Sequence, residues 1–177
     1  MSGHNKWSKI KHKKAVEDAK KSKVFSKYAR LITVESKRAG GDEDSPGLRA
    51  VIEQAKRENM PKDNIERAIK KGLDSDTKNA ETITYEAYGP GGVAIVIDCL
   101  TDNRNRTAAE IKHLLSLHNL SLSDIGSATW AFEKKGLEWL PKTFIEISPK
   151  EKDKLEEVVV NLEDHDDVQK VFTNMKS

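Results

Sequence analysis

The spacing of apolar residues changes near the middle of the 177-residue chain. Up to residue 72, apolar residues recur three or four positions apart, which is typical of helices that bury one face. Beyond residue 80, they alternate with polar residues or form short β-branched runs beside glycine-rich turns, which is typical of strands. The pattern therefore predicts an α+β protein that begins with an N-terminal helical bundle.

Three helices are predicted in the N-terminal part. The first covers residues 8–38, as one helix or as two with a break near Ser22, and Gly40-Gly41 ends it. The second follows Ser45, which is predicted to cap it ahead of a proline, and the third runs from Pro61 to Gly72. The predicted inward positions are Val24, Phe25, Tyr28, Leu31, Ile32, Leu48, Val51, Ile52, Ala55, Ile65, Ala68 and Ile69.

The most apolar run, Val93 to Leu100, is predicted to be the central strand of the C-terminal part. It forms a hairpin with a strand at Thr82 to Tyr88 across the turn Gly89-Pro90-Gly91-Gly92. A helix from Thr107 to about His118 follows, opened by a capping box of Thr107 and Glu110. The remaining predictions are strands at Ala128 to Glu133, Thr143 to Ile147 and Val168 to Thr173, with a helix capped at Ser148 that buries Leu155, Val158, Val159 and Leu162.

After the first hairpin strand, the predicted order of elements is βαββαβ, the order of ferredoxin-like domains. Residues 73–80 are polar and show no period, so they are predicted to link two domains. We therefore expect a basic helical domain at residues 1–72 and a ferredoxin-like α/β domain at residues 81–177.

Charge divides along the same line. The whole chain has a net charge of +2, but residues 1–72 hold 19 Lys/Arg and 10 Asp/Glu, a net charge of +9. Residues 73–177 hold 12 Lys/Arg and 19 Asp/Glu, a net charge of −7. A basic part of this strength indicates a polyanionic partner.

Several classes of protein are disfavoured by composition and motifs. No apolar run approaches the roughly 20 residues that span a bilayer, so no membrane partner is expected and a cytoplasmic location is the default. The single cysteine, Cys99, excludes a disulfide framework and is predicted to be a core residue. No Gly-x-Gly-x-x-Gly motif or phosphate-binding loop is present, so we expect neither an enzyme nor a cofactor or small-molecule substrate. The segment Glu163-Asp164-His165-Asp166-Asp167 is predicted to be a solvated acidic turn without a metal.

The first 30 residues carry the candidate chemistry. Ten cations fall within 25 residues and face only two acids, Glu17 and Asp18. Lysines at this density beside Trp7 and His12 suit contact with nucleic-acid phosphates, with Trp7 either stacking on a base or fixing the entry of the helix. The candidate residues are Lys6, Trp7, Lys9, Lys11, His12, Lys13, Lys14, Lys20, Lys21, Lys23, Lys27 and Arg30.

Arg104 and Arg106 form a second candidate group in the polar loop after the central strand. Two arginines at a helix N-terminus can bind phosphate or RNA, and they can equally pair with acids of the C-terminal part. The sequence leaves these two alternatives open.

Four segments resemble one known family, in the same order along the chain. They are Gly3-His4-Asn5-Lys6-Trp7-Ser8-Lys9-Ile10-Lys11-His12-Lys13-Lys14, the run from Met60 to Gly72, Tyr88-Gly89-Pro90-Gly91-Gly92-Val93-Ala94, and Leu100-Thr101-Asp102-Asn103-Arg104-Asn105-Arg106-Thr107. Together they resemble the YebC family, and Leu162 to Val171 is similar to the end of its members. The chain departs from the family between residues 136 and 142, where an inserted α/β module is absent.

The resemblance implies a regulator of gene expression that binds nucleic acid. Bacterial members suggest a DNA-binding transcriptional regulator, and a mitochondrial member suggests an activator of translation that binds RNA or the ribosome. A protein–protein adaptor that uses the acidic C-terminal part is the alternative from a different class. We expect the frame to fold without the inserted module.

Overall fold

The structure, a computed structural model, describes residues 3–177 of the chain, with side chains from residue 8 onward. The chain divides into two compact units, Met1–Thr77 and Lys78–Ser177. The first unit is helical and the second contains the sheets, so the predicted α+β class is confirmed. No helix in the described part of the chain combines the length and hydropathy needed to cross a membrane.

The first unit contains three helices: α1 (Gly3–Ala39), α2 (Pro46–Arg57) and α3 (Lys62–Gly72). Helix α1 is continuous, so the predicted break near Ser22 is wrong. The segment from residue 8 to residue 39 contains no glycine or proline, and one serine among lysines and alanines costs only a few tenths of a kcal/mol, about 0.5.

Two of the predicted helix boundaries have a clear physical basis. Gly40 and Gly41 take positive φ values of 61° and 81°, and the N–H of Gly41 donates to the Ser36 carbonyl at 2.9 Å, which closes α1. Ser45 occupies the position before α2 with an extended backbone, but its side chain makes no capping hydrogen bond. The predicted cap is therefore right in position and wrong in its side-chain contact.

The helical unit packs through small groups between α1 and α3. The Ser36 hydroxyl donates to the Ile69 carbonyl at 2.7 Å, and a Cβ added to Gly72 would lie 2.5 Å from the Thr33 carbonyl oxygen. A side chain at residue 72 would therefore separate the two helices. The predicted inward positions of α2 and α3 are buried, namely Leu48, Val51, Ile52, Ala55, Ile65, Ala68 and Ile69.

The second unit is built on a three-stranded antiparallel sheet of β1 (Glu81–Tyr88), β2 (Ala94–Thr101) and β5 (Val168–Thr173), with β2 in the centre. The predicted hairpin of β1 and β2 is confirmed, with Tyr85 opposite Ile97. Its turn has Gly91 at a φ of 71° and Gly92 at 80°, conformations that favour glycine. Every residue of β2 except Asp98 is buried, including Cys99, as expected for a strand paired on both edges.

Helices α4 (Arg104–Leu117) and α5 (Pro149–Glu163) cover one face of this sheet. Ile111 and Leu115 of α4 pack in the same cluster as Leu155, Val158 and Leu162 of α5. The predicted capping box of α5 is confirmed, because the Ser148 hydroxyl accepts from the Glu151 N–H and the Glu151 carboxylate accepts from the Ser148 N–H.

A separate two-stranded sheet, β3 (Phe132–Lys135) and β4 (Glu138–Pro141), completes the unit. The predicted strand from Ala128 begins only at Phe132, because the N–H groups of Ala128 and Thr129 donate to the Glu86 carboxylate and not to a strand. The predicted strand at Thr143 to Ile147 is reduced to one bridge, between Ile145 and Met175. The order βαββαβ is present because β4, which was not predicted, takes the place of the strand predicted at Thr143 to Ile147. Its strands lie in two sheets, whereas a ferredoxin-like domain joins them in one.

Candidate nucleic-acid interface

Residues 8–22 of helix α1 are exposed on every side. From residue 8 to residue 22 each described side chain is exposed, including the apolar Ile10 at 58% and Val16 at 43%. We call residues 8–22 the exposed segment. Apolar side chains this open to solvent show that no other element of the described chain covers this part of the helix.

The exposed segment holds six lysines whose charges stay uncompensated. Among the side chains that the structure describes, none forms an ion pair or hydrogen bond with them. Glu17 and Asp18 lie in the same segment and pair with none of the six. The six residues are Lys9, Lys11, Lys13, Lys14, Lys20 and Lys21.

The other predicted contact residues of α1 differ in their surroundings. His12 is exposed within the segment, next to these lysines. Lys23, Lys27 and Arg30 are half-buried and interact with other groups, at the point where α1 joins the helical bundle. The side chains of Lys6 and Trp7 lie outside the described part of the structure, so the two interpretations of Trp7 stay predictions.

Arg104 and Arg106 lie in the first turn of α4. This helix begins at Arg104, three residues before the predicted start at Thr107. Asn103 precedes the helix, and its side-chain oxygen accepts from the Arg106 N–H at 3.1 Å, so Asn103 and not Thr107 is the cap. Helix α4 therefore begins closer to the end of β2 than predicted. The Asn103 side chain satisfies the Arg106 N–H by itself, so no glutamate is needed at the third position of the helix.

Both arginines pair with carboxylates, which is one of the two alternatives left open by the sequence. Arg106 contacts Asp167 at 2.5 Å, and Arg104 approaches Glu81 at 3.6 Å. The hydrogen bond and charge of Asp167 raise the pKa of Arg106 above its ordinary value. The Arg106 guanidinium therefore holds α4 against the start of β5, and nucleic-acid contact by these arginines stays a prediction.

The acidic turn before β5 is not fully solvated, contrary to the prediction. Asp167 is only 4% exposed, and its carboxylate lies 2.8 Å from the Thr107 hydroxyl as well as beside Arg106. Thr107 is itself buried and lies 2.7 Å from the Thr101 hydroxyl. The contacts of Asp167 with Thr107 and Arg106 join residues 60 and 61 positions apart in sequence, which is why spacing alone could not reveal them.

Three possible metal ligands lie close together around the Asp167 carboxylate. One ligand atom each from Glu110, His165 and Asp167 lies within 4.8 Å of the others. However, the Arg106 guanidinium bonds to the Asp167 carboxylate and lies 3.8 Å from that of Glu110, so a cation already neutralises both acids. Since a second cation there would meet the charge of Arg106, the residues present suit an ion-pair network better than a metal.

Sequence analysis also missed Glu86. This residue of β1 is 4% exposed, and its carboxylate accepts hydrogen bonds from the N–H groups of Gly126, Ala128 and Thr129. Burial opposes its ionisation, but these donors outweigh burial and lower the pKa of Glu86. One signal was available in the sequence. Glu86 alternates with Tyr85 and Ala87 along β1, so its side chain lies on the other face of the sheet.

The fold and the exposed lysines together define a class: a protein with a basic helical unit followed along the chain by a small α+β unit. Two family models match this order, the TACO1/YebC protein N-terminal domain at residues 5–75 and the TACO1/YebC second and third domain at residues 80–137 and 135–175. The chain belongs to the TACO1/YebC family.

Curated relatives carry names of one kind. A probable transcriptional regulatory protein of Desulfosudis oleivorans is 48% identical over 185 residues, which cover 99% of this chain and 72% of the relative. One of Thermosipho africanus is 56% identical over 144 residues, covering 80% of this chain but 57% of the relative. The chain thus spans little more than half the length of relatives such as the second.

A solved structure supports the fold. The crystal structure of a conserved hypothetical protein from Aquifex aeolicus matches with a TM-score of 0.75 and 30% sequence identity. The match covers 90% of this chain and 91% of that one. The similarity therefore extends over both units of the chain.

Proposed function

We propose that the protein is a non-enzymatic, nucleic-acid-binding regulator of gene expression, and that DNA is its target in transcriptional regulation. The observation that carries the proposal is the exposed segment, with six lysines that no described carboxylate neutralises. The relatives named as probable transcriptional regulatory proteins support a regulator-type role. A cytoplasmic location and the absence of a small-molecule substrate belong to the same proposal.

Lysine ammonium groups recognise the charge of the phosphate backbone and not the base sequence. If about five phosphates of duplex DNA are neutralised, the logarithm of the binding constant falls with the logarithm of salt concentration at a slope of about −4.5. The net positive charge of the segment, six lysines against Glu17 and Asp18, also speeds encounter with a polyanion.

The direct test reverses four charges in the exposed segment. We expect Lys9→Glu, Lys11→Glu, Lys13→Glu and Lys14→Glu together to abolish binding of duplex DNA, measured by fluorescence anisotropy, and to leave the fold intact. The matched control reverses four exposed lysines of the second unit, at Lys142, Lys150, Lys152 and Lys154, for the same change in net charge. Unchanged affinity in the first variant, or equal losses in both, contradicts the proposal.

The same lysines support a second candidate function, the binding of RNA or the ribosome in aid of translation. Phosphate contacts by lysine do not distinguish DNA from RNA, so the exposed segment favours both. Crosslinking in cells, followed by sequencing of the attached nucleic acid, separates the two. Recovery of ribosomal or messenger RNA in place of DNA assigns the translational role.

A protein–protein adaptor is the candidate from another class, and the net charge of −7 on residues 73–177 favours it. An adaptor keeps its partners when a lysate is treated with nuclease before capture. A nucleic-acid binder loses them. Partners that survive nuclease and depend on the acids of the second unit establish the adaptor.

A further inference from the structure

The continuity of α1 fixes where each lysine points. In a helix, residues three, four or seven positions apart lie on one face, whereas residues two apart lie on opposite sides. Because α1 runs through Ser22 without a break, this rule holds along the whole exposed segment. The six unpaired lysines therefore form two rows of three. Row A contains Lys9, Lys13 and Lys20, and row B contains Lys11, Lys14 and Lys21.

Both rows flank one face of the helix. The residues on that face are exposed and recur three or four positions apart, and they carry short side chains apart from one histidine. They are Ser8, His12, Ala15, Ala19 and Ser22. A partner can therefore approach the helix backbone closely on this face while lysines reach outward on either side of it.

This arrangement suits a partner that carries negative charge along both sides of a groove. A helix that lies across a single row of phosphates needs cations on one face only, and row B would then point away from the partner. The major groove of B-form DNA is bordered by the phosphates of both strands and is about 12 Å wide, against about 10–12 Å for a helix with its side chains. The deep and narrow major groove of A-form RNA does not admit a helix in this way.

We propose, on the basis of the nucleic-acid binding proposed above, that the exposed segment lies lengthwise in the major groove of double-stranded DNA. Row A contacts the phosphates of one strand and row B contacts those of the other. The segment is about 22 Å long, which corresponds to about two-thirds of a turn of the duplex. The face with the short side chains is directed toward the base pairs.

The two acids of the segment provide a matched pair for testing this orientation. Asp18 lies in row B, since it is seven residues from Lys11 and four from Lys14. Glu17 is two residues from both Ala15 and Ala19, so it lies opposite to the face with the short side chains, between the two rows and three or four residues from Lys13, Lys14, Lys20 and Lys21. The two residues are adjacent and carry the same charge, but only Asp18 lies within a row, whereas Glu17 lies on the side of the helix farthest from the base pairs.

The first experiment neutralises each row separately. We expect the triple Lys→Gln variants of row A and of row B to weaken binding of duplex DNA to a similar extent. Each should reduce the magnitude of the salt slope by about 2.7, the value for three phosphate contacts. Circular dichroism checks that both variants keep their helix content. If only one of the two triple variants loses affinity, the proposed contact with both DNA strands is wrong.

The second experiment compares Asp18→Asn with Glu17→Gln. We expect Asp18→Asn to tighten binding about two- to threefold, because a carboxylate near a phosphate wall is removed, and Glu17→Gln to have a smaller effect. Equal effects indicate a general attraction without a defined orientation and overturn the proposal.

The third experiment locates the groove. Bound protein should protect the N7 atoms of guanines from methylation by dimethyl sulfate, because these atoms lie in the major groove. Duplex RNA of the same sequence should bind more weakly than duplex DNA. Equal or tighter binding of the RNA, or no protection of N7, contradicts the placement of the exposed segment in the major groove. Neither result contradicts the proposed nucleic-acid binding. If the wild-type protein binds no nucleic acid at all, both the proposed function and the major-groove placement are wrong.

Discussion

Glu86 shows how one buried carboxylate organises a loop that has no regular structure of its own. Its two oxygens accept three backbone N–H groups from residues 126–129, which therefore turn back against β1. Without these hydrogen bonds the N–H groups would be partly buried and unsatisfied, which costs about 1–3 kcal/mol for each group. The residue therefore contributes to stability through its charge.

We predict that Glu86→Gln lowers the free energy of unfolding at pH 7 by about 2–3 kcal/mol. The pKa of Glu86 is lowered in the folded protein, so the unfolded chain binds a proton at higher pH than the folded one does. The stabilisation is therefore complete above the ordinary glutamate pKa and is lost as pH falls through the lower, folded value. Urea unfolding between pH 7 and pH 3 measures it, and the variant should lose less stability than the wild type over this range.

The control for this prediction is Glu81→Gln, on the same strand. Glu81 is exposed and approaches Arg104 only at 3.6 Å, so its replacement should cost less than about 0.5 kcal/mol. An acid dependence that is the same in Glu86→Gln and the wild type contradicts the assignment.

Asp167 permits a second comparison at the scale of the residue. Its buried carboxylate holds Arg106 and Thr107 of α4, whereas the exposed Asp102 approaches Arg106 only at 3.5 Å. We predict that Asp167→Asn lowers the free energy of unfolding by about 2–3 kcal/mol and that Asp102→Asn lowers it by less than about 0.5 kcal/mol. Similar values from chemical denaturation of the two variants would show that the Arg106 network does not hold α4 in place.

At the scale of the element, the continuity of α1 is the feature on which the interface depends. We predict that Ser22→Pro removes much of the helical circular dichroism of residues 8–21 and weakens DNA binding at least tenfold. Proline in a helix interior costs about 3 kcal/mol, and the exposed segment has no tertiary contacts to offset this cost.

Ser22→Ala is the matched control, because alanine is the better helix former and leaves the charge unchanged. It should bind DNA at least as tightly as the wild type. The midpoint of thermal unfolding should change little in either variant, since the core residues of the first unit lie beyond Ser22. Full DNA affinity in Ser22→Pro would show that the segment need not be helical.

The elements that the sequence predicted well are those whose local signals agree with their burial. The β-branched run of β2, the inward positions of α2 and α3 and the capping box at Ser148 each follow from residues close together in the chain. The strand predicted from Ala128 failed because its first residues are held by Glu86, 42 positions away from Ala128. The start of α4 was missed because Asn103 and Thr107 are both capping residues. In the structure Asn103 caps the helix through the Arg106 N–H, and the Thr107 hydroxyl contacts Asp167 instead.

The candidate site was predictable only in part. The lysine-rich composition of the first 30 residues was visible, but composition does not show whether another element covers a helix. The exposure of Ile10 and Val16 supplies that information, because an element that covered this part of the helix would bury apolar side chains. The pairing of Arg106 was open for the same reason, since its partner Asp167 is 61 positions away.

At the scale of the whole molecule, charge and stability are distributed unevenly. Residues 1–72 carry a net charge of +9 and residues 73–177 a net charge of −7. A polyanion is therefore attracted to one part of the chain and repelled by the other, which limits the orientations in which it can bind. Because such long-range forces are screened within about 10 Å at 0.1 M salt, orientation and affinity should weaken together as salt rises.

Stability should follow the same division between exposed and buried elements. In the exposed segment, lysines three or four positions apart repel one another by about 0.2–0.5 kcal/mol per pair, and a helix of this length is marginal without tertiary contacts. Strand β2 is buried and hydrogen-bonded on both edges. We predict that peptides covering residues 8–22 exchange their amide hydrogens within seconds, whereas those covering Ala94–Thr101 require hours or longer.

Duplex DNA should change this distribution in one place. Neutralisation of the lysines removes their repulsion, so the amides of residues 8–22 should become protected while those of β2 keep their rates. Hydrogen exchange followed by mass spectrometry measures both regions in one sample, and the variant with four Lys→Glu substitutions should show no protection at the same DNA concentration. Protection that appears only in the second unit would place the interface there, because an exposed helix that contacts DNA cannot keep the exchange rates of the free protein.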